Sequence, residues 1–192
     1  MSGDKICMKN NIRKTYKTKR AQMSQEDVRS KSRIAAKKFL LSDIYKTCKT
    51  LMLYMPLGNE TDTSEIVKTA FKDGKRLVFP VTDAKTAVIT PYYATEHTKF
   101  SNGAFSVSEP ASTSIASVSD IDVVLVPGIA FAKNGARVGF GKGCYDKLLI
   151  NARATKVGFC YDFQMCDNIS VQAHDICMDY IVTNAEFIKC DS

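Results

Sequence analysis

At 192 residues, 45% of them apolar, and with a formal net charge of +7, the chain is long enough to bury about 70% of its unfolded surface as one domain without covalent staples. Its seven cysteines (Cys7, Cys48, Cys144, Cys160, Cys166, Cys177, Cys190) are odd in number and never form C-x-x-C, which argues against a disulfide framework or a zinc site and for reduced thiols. The N-terminus lacks the apolar core of a signal peptide and no apolar run approaches the ~20 residues of a membrane span, so the expectation is a cytoplasmic protein with no membrane partner.

The charge is uneven. Residues 1–49 hold 14 Lys and Arg against 4 Asp and Glu, a net of +10, and the remainder carries −3. A basic segment of this kind binds nucleic acid, steers anionic ligands, or forms the solvated face of helices. Only Tyr16, Phe39 and Tyr45 are interleaved with these charges, which leaves bases little to stack on. No nucleic-acid motif is present, and nucleic acid is not an expected partner.

Residues 10–22 read as a short basic helix. A second helix opens at Ser24, with Asp27 three residues on as a capping pair, and runs to about Leu41 with Val28, Ala35, Phe39 and Leu40 on one face. Thr50 to Met55 is a buried strand ended by Pro56, Gly58 and Asn59. Asp62 and Glu65 suggest another capping pair, for a helix that carries Ile66, Val67, Ala70 and Phe71 and closes at Gly74. Strands follow at 77–81 and 87–93. The Ser- and Thr-rich stretch 94–119, with its Asn102-Gly103 turn signal, reads as a long excursion from the sheet. Val123 to Val126 is an uninterrupted β-branched run, as expected of a strand buried on both faces. Tyr145 to Ala152 can form a helix, Lys156 to Cys160 a strand, and Tyr180 to Thr183 the final strand. Strands alternating with helices predict a single α/β domain with a mostly parallel sheet flanked by helices. Its ligand cleft is expected where strand ends meet the Gly-rich loop.

That loop follows Val126. Arg137, Gly139, Gly141, Lys142 and Gly143 crowd two cations and several unhindered backbone amides into a few residues, with Asp146 at the far end. A following helix start would add the positive end of its dipole. The dinucleotide pattern G-x-G-x-x-G fails at Cys144. The P-loop pattern fails because five residues, not four, separate Gly135 from Gly141-Lys142, and Gly143 stands where Ser or Thr is needed. On the glycines alone, an anion-binding loop and a surface turn fit equally.

The order of short motifs along the chain carries more. Tyr54 and Pro56, Glu60 to Thr63, Glu109-Pro110, the block Val126 to Asp146, Phe163-Gln164 and His174-Asp175 together resemble the 5-formyltetrahydrofolate cyclo-ligases, over nearly the whole chain. The resemblance implies an ATP- and magnesium-dependent closure of 5-formyltetrahydrofolate to 5,10-methenyltetrahydrofolate, with release of ADP and phosphate through phosphorylation of the formyl oxygen. It implies reduced folate and ATP as small-molecule partners; a monomer is the separate expectation for the chain.

Residue by residue, the resemblance assigns ATP to Lys9, Arg13 and the run Arg137, Val138, Gly139, Phe140, Gly141, Lys142, Gly143, Cys144 and Tyr145. Arg137 and Lys142 act as the catalytic cations. Lys9 and Arg13 fall at i and i+4, so a helix would present them together. Asp146 and Asp175 match the magnesium carboxylates, in keeping with that ion's use of one or two carboxylates plus substrate phosphates. Met55, Glu60, Phe105, Phe140, Cys144 and Tyr145 match folate-contacting positions, with Glu60 as acceptor for pterin N–H groups. His174 is expected to be a supporting histidine, because the chemistry needs no strong base. At Cys144 the chain departs from the family, which usually reads YYD where this sequence reads CYD. That substitution keeps open a second reading, a non-catalytic member that binds folate or nucleotide.

Overall fold

The computed structural model describes residues 2–191, with side chains from residue 8 onward. In chain order the elements are α1 (Ser2–Ala21), α2 (Gln25–Leu41), α3 (Asp43–Thr47), β1 (Thr50–Met52), α4 (Ser64–Lys72), β2 (Arg76–Thr82), β3 (Ile89–Ala94), β4 (Phe100–Asn102), β5 (Ser108–Pro110), β6 (Val123–Val126), β7 (Ala130–Phe131), β8 (Arg137–Val138), α5 (Cys144–Leu149), β9 (Thr155–Phe159), β10 (Tyr180–Val182) and β11 (Phe187–Lys189). Among the described residues, seven strands form one sheet in the order β11-β10-β9-β6-β1-β2-β3. The inner pairings are parallel, and the two outermost, β2 with β3 and β10 with β11, are antiparallel. This is the α/β architecture that the alternation of elements predicts.

The apolar runs of β1, β2 and β6 are continuous because both faces of the sheet are covered. Successive side chains alternate between faces. Leu51, Leu77, Phe79 and Leu125 pack with Ala35, Ala36 and Phe39 of α2 and Ile66 and Ala70 of α4. Met52, Val78, Val124 and Val126 point to the other face, with Leu148 and Leu149 of α5. A third, smaller cluster of Ala130, Ala132, Ala136, Val138 and Ile169 is roofed by Ile12 and Tyr16, so α1 rests on the β7–β8 hairpin.

Several local details differ from the sequence expectations. Helix α1 runs Ser2–Ala21, not 10–22. β1 is only three residues long because Pro56, Gly58 and Asn59 already bend the chain, although the Leu53 amide still bonds to Val78 O at 2.9 Å. Ser24 does cap α2, accepting the Asp27 amide at 3.1 Å. The second capping pair is not made. Thr63 is the N-cap of α4 without a side-chain bond, and Asp62 instead accepts from the amide and hydroxyl of Ser64. At the other end Gly74, at φ +69, closes α4 as expected. Its amide bonds to Phe71 O and that of Lys75 to Ala70 O, the paired arrangement that satisfies a helix's last carbonyls. Helix α5 stops at Leu149.

The excursion at 94–119 is partly folded. β4 and β5 form a hairpin, Glu109 Oε1 accepts the Thr82 amide at 2.8 Å, and Ser114 to Ala116 return to bond along β3. The last strand is β11, not β10, because a turn after Thr183 folds Phe187 to Lys189 back on the edge. Strands of two or three residues are too short to carry a periodic signal, which is why these hairpins escape sequence analysis. The six cysteines with described side chains are free, and Cys7 lies outside them. Among the described residues no helix is long and apolar enough to cross a membrane.

Candidate active site

From β1 the chain passes to β2 on one side, while β6 leads to β9 and β10 on the other. The gap between the loops that follow β1 and β6 is therefore the switch point of the sheet, where open α/β folds hold ligands. A cleft of about 680 Å³ opens there. One wall is the segment after β1 with Tyr54, Met55, Leu57 and Glu60. The other is Arg137 and the whole of 139–146, and the rim is made by Lys9 and Arg13 of α1, Phe105 from the β4–β5 turn, and Gln172, His174 and Asp175. All site residues expected from the sequence meet here except Val138. Its side chain is fully buried in the hairpin core and its carbonyl is taken by the Ile129 amide at 2.7 Å.

Two small motifs shape the loops that follow β1 and β6. Tyr54 Oη donates to Thr61 O at 2.8 Å, and Thr63 Oγ1 donates to Tyr54 O at 2.9 Å, which folds the Glu60 to Thr63 segment back on the end of β1. Gln164 is buried and its amide nitrogen donates to both Gly128 O and Ile129 O, at 3.0 and 2.9 Å, holding the turn that leaves β6. The conspicuous polar residues at these positions are thus scaffold for the two loops.

The glycine loop takes its course from backbone angles. Gly141 (φ +102) and Gly143 (φ +67) occupy conformations that L side chains rarely adopt, and Gly143 is the N-cap of α5. A Cβ on Gly141 would come no nearer than 3.7 Å to Arg13 Cζ, ordinary contact, so the angle and not space requires glycine there. Arg13 Nε donates to Gly139 O at 2.9 Å, tying α1 to the loop. With six residues, α5 contributes little dipole; the anion character of the loop comes from its amides and cations.

Opposite charges pair across the phosphate-like half of the cleft. Arg137, only 6% exposed at its side chain, donates from Nη2 to Asp146 Oδ1 at 2.9 Å and from Nη1 to Pro127 O at 3.2 Å, with its guanidinium 5.7 Å from the Tyr145 ring centre. Its Nε is buried without a partner. Lys9, buried at 7% exposure, is ion-paired with Asp175, which also accepts the Gln172 amide at 2.7 Å. Burial works to raise the Asp175 carboxyl, but the hydrogen bonds from Lys9 and Gln172 outweigh it and hold the group below its ordinary value. Lys142 is exposed, 6.0 Å from the Phe105 ring centre. Phe105 and Ser106 both have positive φ, +56 and +62, and Phe105 is 44% exposed. His174 faces solvent, with Nε2 4.0 Å from Asp175 Oδ1.

The other half of the cleft centres on Glu60. Glu60 is 5% exposed; Oε2 accepts the Leu57 amide at 2.9 Å, while Oε1 lies 3.5 Å from Arg20 Nη1 and makes no hydrogen bond. Burial raises the Glu60 carboxyl, opposed by the Arg20 charge and the Leu57 amide. The Tyr145 hydroxyl is also buried without a partner. Burial, and then the nearby Glu60, push its ionisation well above the ordinary tyrosine value, so it stays a neutral donor. Cys144 is half-buried beside it, its thiol pushed up by burial. Arg20 was invisible in the sequence, one cation among fourteen in the basic segment.

Chemically, the cleft offers cations and free amides for a polyanion, two carboxylates for a cation, and buried acceptor and donor atoms for a polar ring. Among the described residues no three or more His, Cys, Asp or Glu cluster as a metal site. Asp146 and Asp175 are two hard oxygen donors facing the same cleft. Two carboxylates would fit magnesium, which needs few protein ligands when its substrate carries phosphates, and do not make an all-protein cage.

A model of the 5-formyltetrahydrofolate cyclo-ligase family matches residues 5–184 of the chain. The 5-formyltetrahydrofolate cyclo-ligase of Mycolicibacterium smegmatis is 29% identical over 74% of this chain and 77% of its own, and that of Mus musculus is 23% identical over 91% and 92%. Among solved structures, the 5,10-methenyltetrahydrofolate synthetase of Aquifex aeolicus superposes with a TM-score of 0.85 at 31% identity, covering 96% of this chain and 94% of that one. The synthetase from Mycoplasma pneumoniae gives 0.75 at 25% identity, with 92% and 98% covered.

Proposed function

The chain belongs to the 5-formyltetrahydrofolate cyclo-ligase family, and we propose that it closes 5-formyltetrahydrofolate to 5,10-methenyltetrahydrofolate at the expense of ATP, acting as a monomer. The observation that carries the reading is a single cleft, built from one chain, that joins a basic glycine loop and two carboxylates to a buried acceptor with an unused oxygen.

A formamide oxygen is a poor leaving group, and phosphorylation makes it a good one. The formyl oxygen attacks the γ-phosphoryl group of ATP and ADP leaves. The neighbouring anilino nitrogen then adds to the activated carbon, and phosphate departs as the ring closes. Such transfer depends on positioning and on matching the charge of the migrating group. Arg137 is suited to a planar two-point grip on phosphoryl oxygens, since its Nε is still free, and Lys142 to a mobile point charge. Lys9 and Arg13 bring α1 to the nucleotide, with the amides around Gly139, Gly141 and Gly143. Asp146 and Asp175 would hold magnesium, which when bound supplies charge neutralisation of the phosphates. On the folate side Glu60 Oε1 accepts from the pterin ring and the Tyr145 hydroxyl donates, each using an atom that has no hydrogen-bond partner among the described residues. Met55, Phe105, Phe140 and Cys144 give the apolar contact.

Mixing protein, ATP, magnesium and 5-formyltetrahydrofolate should produce the near-ultraviolet absorbance of the methenyl product, dependent on all three additions. A flat trace from folded protein that still binds folate or nucleotide would replace this reading with that of a non-catalytic binding member, for which Cys144 is the structural argument.

A further inference from the structure

Arg20 stands in the last turn of α1 with its side chain 11% exposed. Its Nη1 lies 3.5 Å from Glu60 Oε1 and 3.4 Å from Gly128 O, to which it donates, and its guanidinium carbon is 5.6 Å from the ring centre of Phe140. Its backbone carbonyl accepts from Asn59 Nδ2 at 3.0 Å, and the same nitrogen donates to Met23 O at 3.1 Å. The end of α1 is thereby fastened to the residue next to Glu60. Lys17, three residues back on the same helix face, lies 5.1 Å from the Phe140 ring centre. One buried cation thus touches both loops at the switch point, the one that ends β1 and the one that follows β6.

We propose that Arg20 is a positioning residue for the folate half of the cleft, its guanidinium setting the carboxylate of Glu60 and the ring of Phe140 together. The proposal rests on the function proposed above. The geometry separates attraction from occupancy. At 3.5 Å and without hydrogen-bond geometry, Arg20 favours the charged form of a carboxylate buried among apolar groups, yet leaves Oε1 open to accept from the substrate. A direct bidentate pair would hold the charge more strongly but consume the acceptor. The cation–π contact to Phe140, 43% exposed, holds that ring where the glycine loop borders the folate site.

The titratable and charged groups around Glu60 are few. Arg20 comes from α1, Tyr54 from the end of β1 and Tyr145 from α5, while the Tyr161 hydroxyl donates to Glu60 O at 3.1 Å. Burial raises all three tyrosines above their ordinary values, so they remain protonated through the acid and neutral range. Lys9, Arg13 and Arg137 line the same cleft. Glu60 is therefore the group whose ionisation answers to Arg20 below neutral pH.

The test is calorimetric binding of 5-formyltetrahydrofolate, without nucleotide, to the full chain and to Arg20→Met, Arg20→Lys, Glu60→Gln and Arg20→Met/Glu60→Gln, from pH 5 to 8. Binding by the unchanged protein should weaken as pH falls and Glu60 takes up its proton. In Arg20→Met the weakening should begin at higher pH, with affinity at pH 7 down about tenfold, the loss expected for an interaction with a charged group. Arg20→Lys should restore most of the profile. In the Glu60→Gln background, Arg20→Met should leave the pH profile unmoved, and comparison within that background cancels the ligand's own titration. The inference is overturned if Arg20→Met keeps the original pH profile, or if affinities for folate and for magnesium–ADP fall by the same factor, as a merely structural role would require. Should Arg20→Met not fold, Arg20→Lys and Arg20→Gln take its place, and identical profiles for those two would equally overturn it. Failure of the unchanged protein to bind 5-formyltetrahydrofolate would instead refute the function on which the inference rests.

Discussion

The two halves of the cleft are prepared in opposite ways. Around the glycine loop every strong charge except Lys142 already has a partner: Arg137 with Asp146, Lys9 with Asp175, Arg13 with Gly139 O. Around Glu60 two buried polar atoms are left over: among the described residues, Glu60 Oε1 and Tyr145 Oη have no hydrogen-bond partner. A cation at the carboxylates of the first half must exchange protein ion pairs for ligand ones, while Lys142, the loop amides and Arg137 Nε are open to an anion; in the second half binding completes hydrogen bonds that folding has left open. Exchange is possible only when cation and anion arrive together, because either alone strands a buried charge, whereas completion rewards any ring with the right donors.

The sharpest way to break this contrast is to remove a carboxylate from the first half. Asp175→Asn leaves Lys9, 8% exposed at its side chain, without a counter-charge, and takes away one proposed magnesium oxygen. Turnover should fall by about a thousandfold or more, and magnesium should no longer improve nucleotide binding. Asp146→Asn, with Arg137 as the stranded partner, should behave alike. Methenyl formation over a magnesium titration, with thermal unfolding beside it, checks both effects. Magnesium-dependent rates that stay unchanged would remove these residues from the metal site.

Removing Arg137 tests how separate the halves are. Its guanidinium reaches Asp146 on one side and the Tyr145 ring on the other, so Arg137→Ala should not be wholly selective. The ATP requirement should rise about tenfold to a hundredfold, since a charged hydrogen-bond donor is lost where charge is matched, and the folate requirement by a few-fold through the loosened Tyr145. Separate titrations of the two substrates give the ratio. Equal increases would mean that Arg137 belongs to the floor of the whole cleft and not to the phosphate half.

The sequence makes this first half more legible than the second, for a physical reason. Glycines and cations at short spacing mark a candidate anion loop that the order of family motifs then assigns, and Lys9 with Arg13, assigned by the same resemblance, need only a helix to bring them together. The parallel sheet was equally readable, because strands covered on both faces cannot alternate and so appear as apolar runs such as Val123 to Val126. Arg20 and the unpaired Tyr145 hydroxyl could not be read in this way. The character of the Tyr145 hydroxyl comes from burial, and that of Arg20 from burial and from partners far along the chain, with Glu60 and Gly128 lying 40 and 108 positions away. The short hairpins β4–β5 and β7–β8 were missed too, although the first carries Phe105 to the rim and the second carries Arg137. In both, pairing and packing are decided by tertiary contacts that two or three residues cannot encode.

The smallest test concerns Cys144, where the family carries an aromatic. The thiol is half-buried, neutral at ordinary pH because burial raises it, and packed beside Tyr145 against the α5 side of the core while still bordering the cleft. A ring there would add apolar contact to the completion half without touching any ion pair. Cys144→Tyr should therefore tighten 5-formyltetrahydrofolate about threefold, the scale of one added aromatic contact, and leave the ATP requirement where it was. Titrating each substrate separately distinguishes the outcomes. No change in folate affinity would mean that Phe105 or Phe140, both more than two-fifths exposed at the rim, already closes over the ring from the other side. A change in the ATP requirement would show that the N-terminus of α5, where residue 144 sits next to the left-handed Gly143, couples the halves that the ion pairs keep apart.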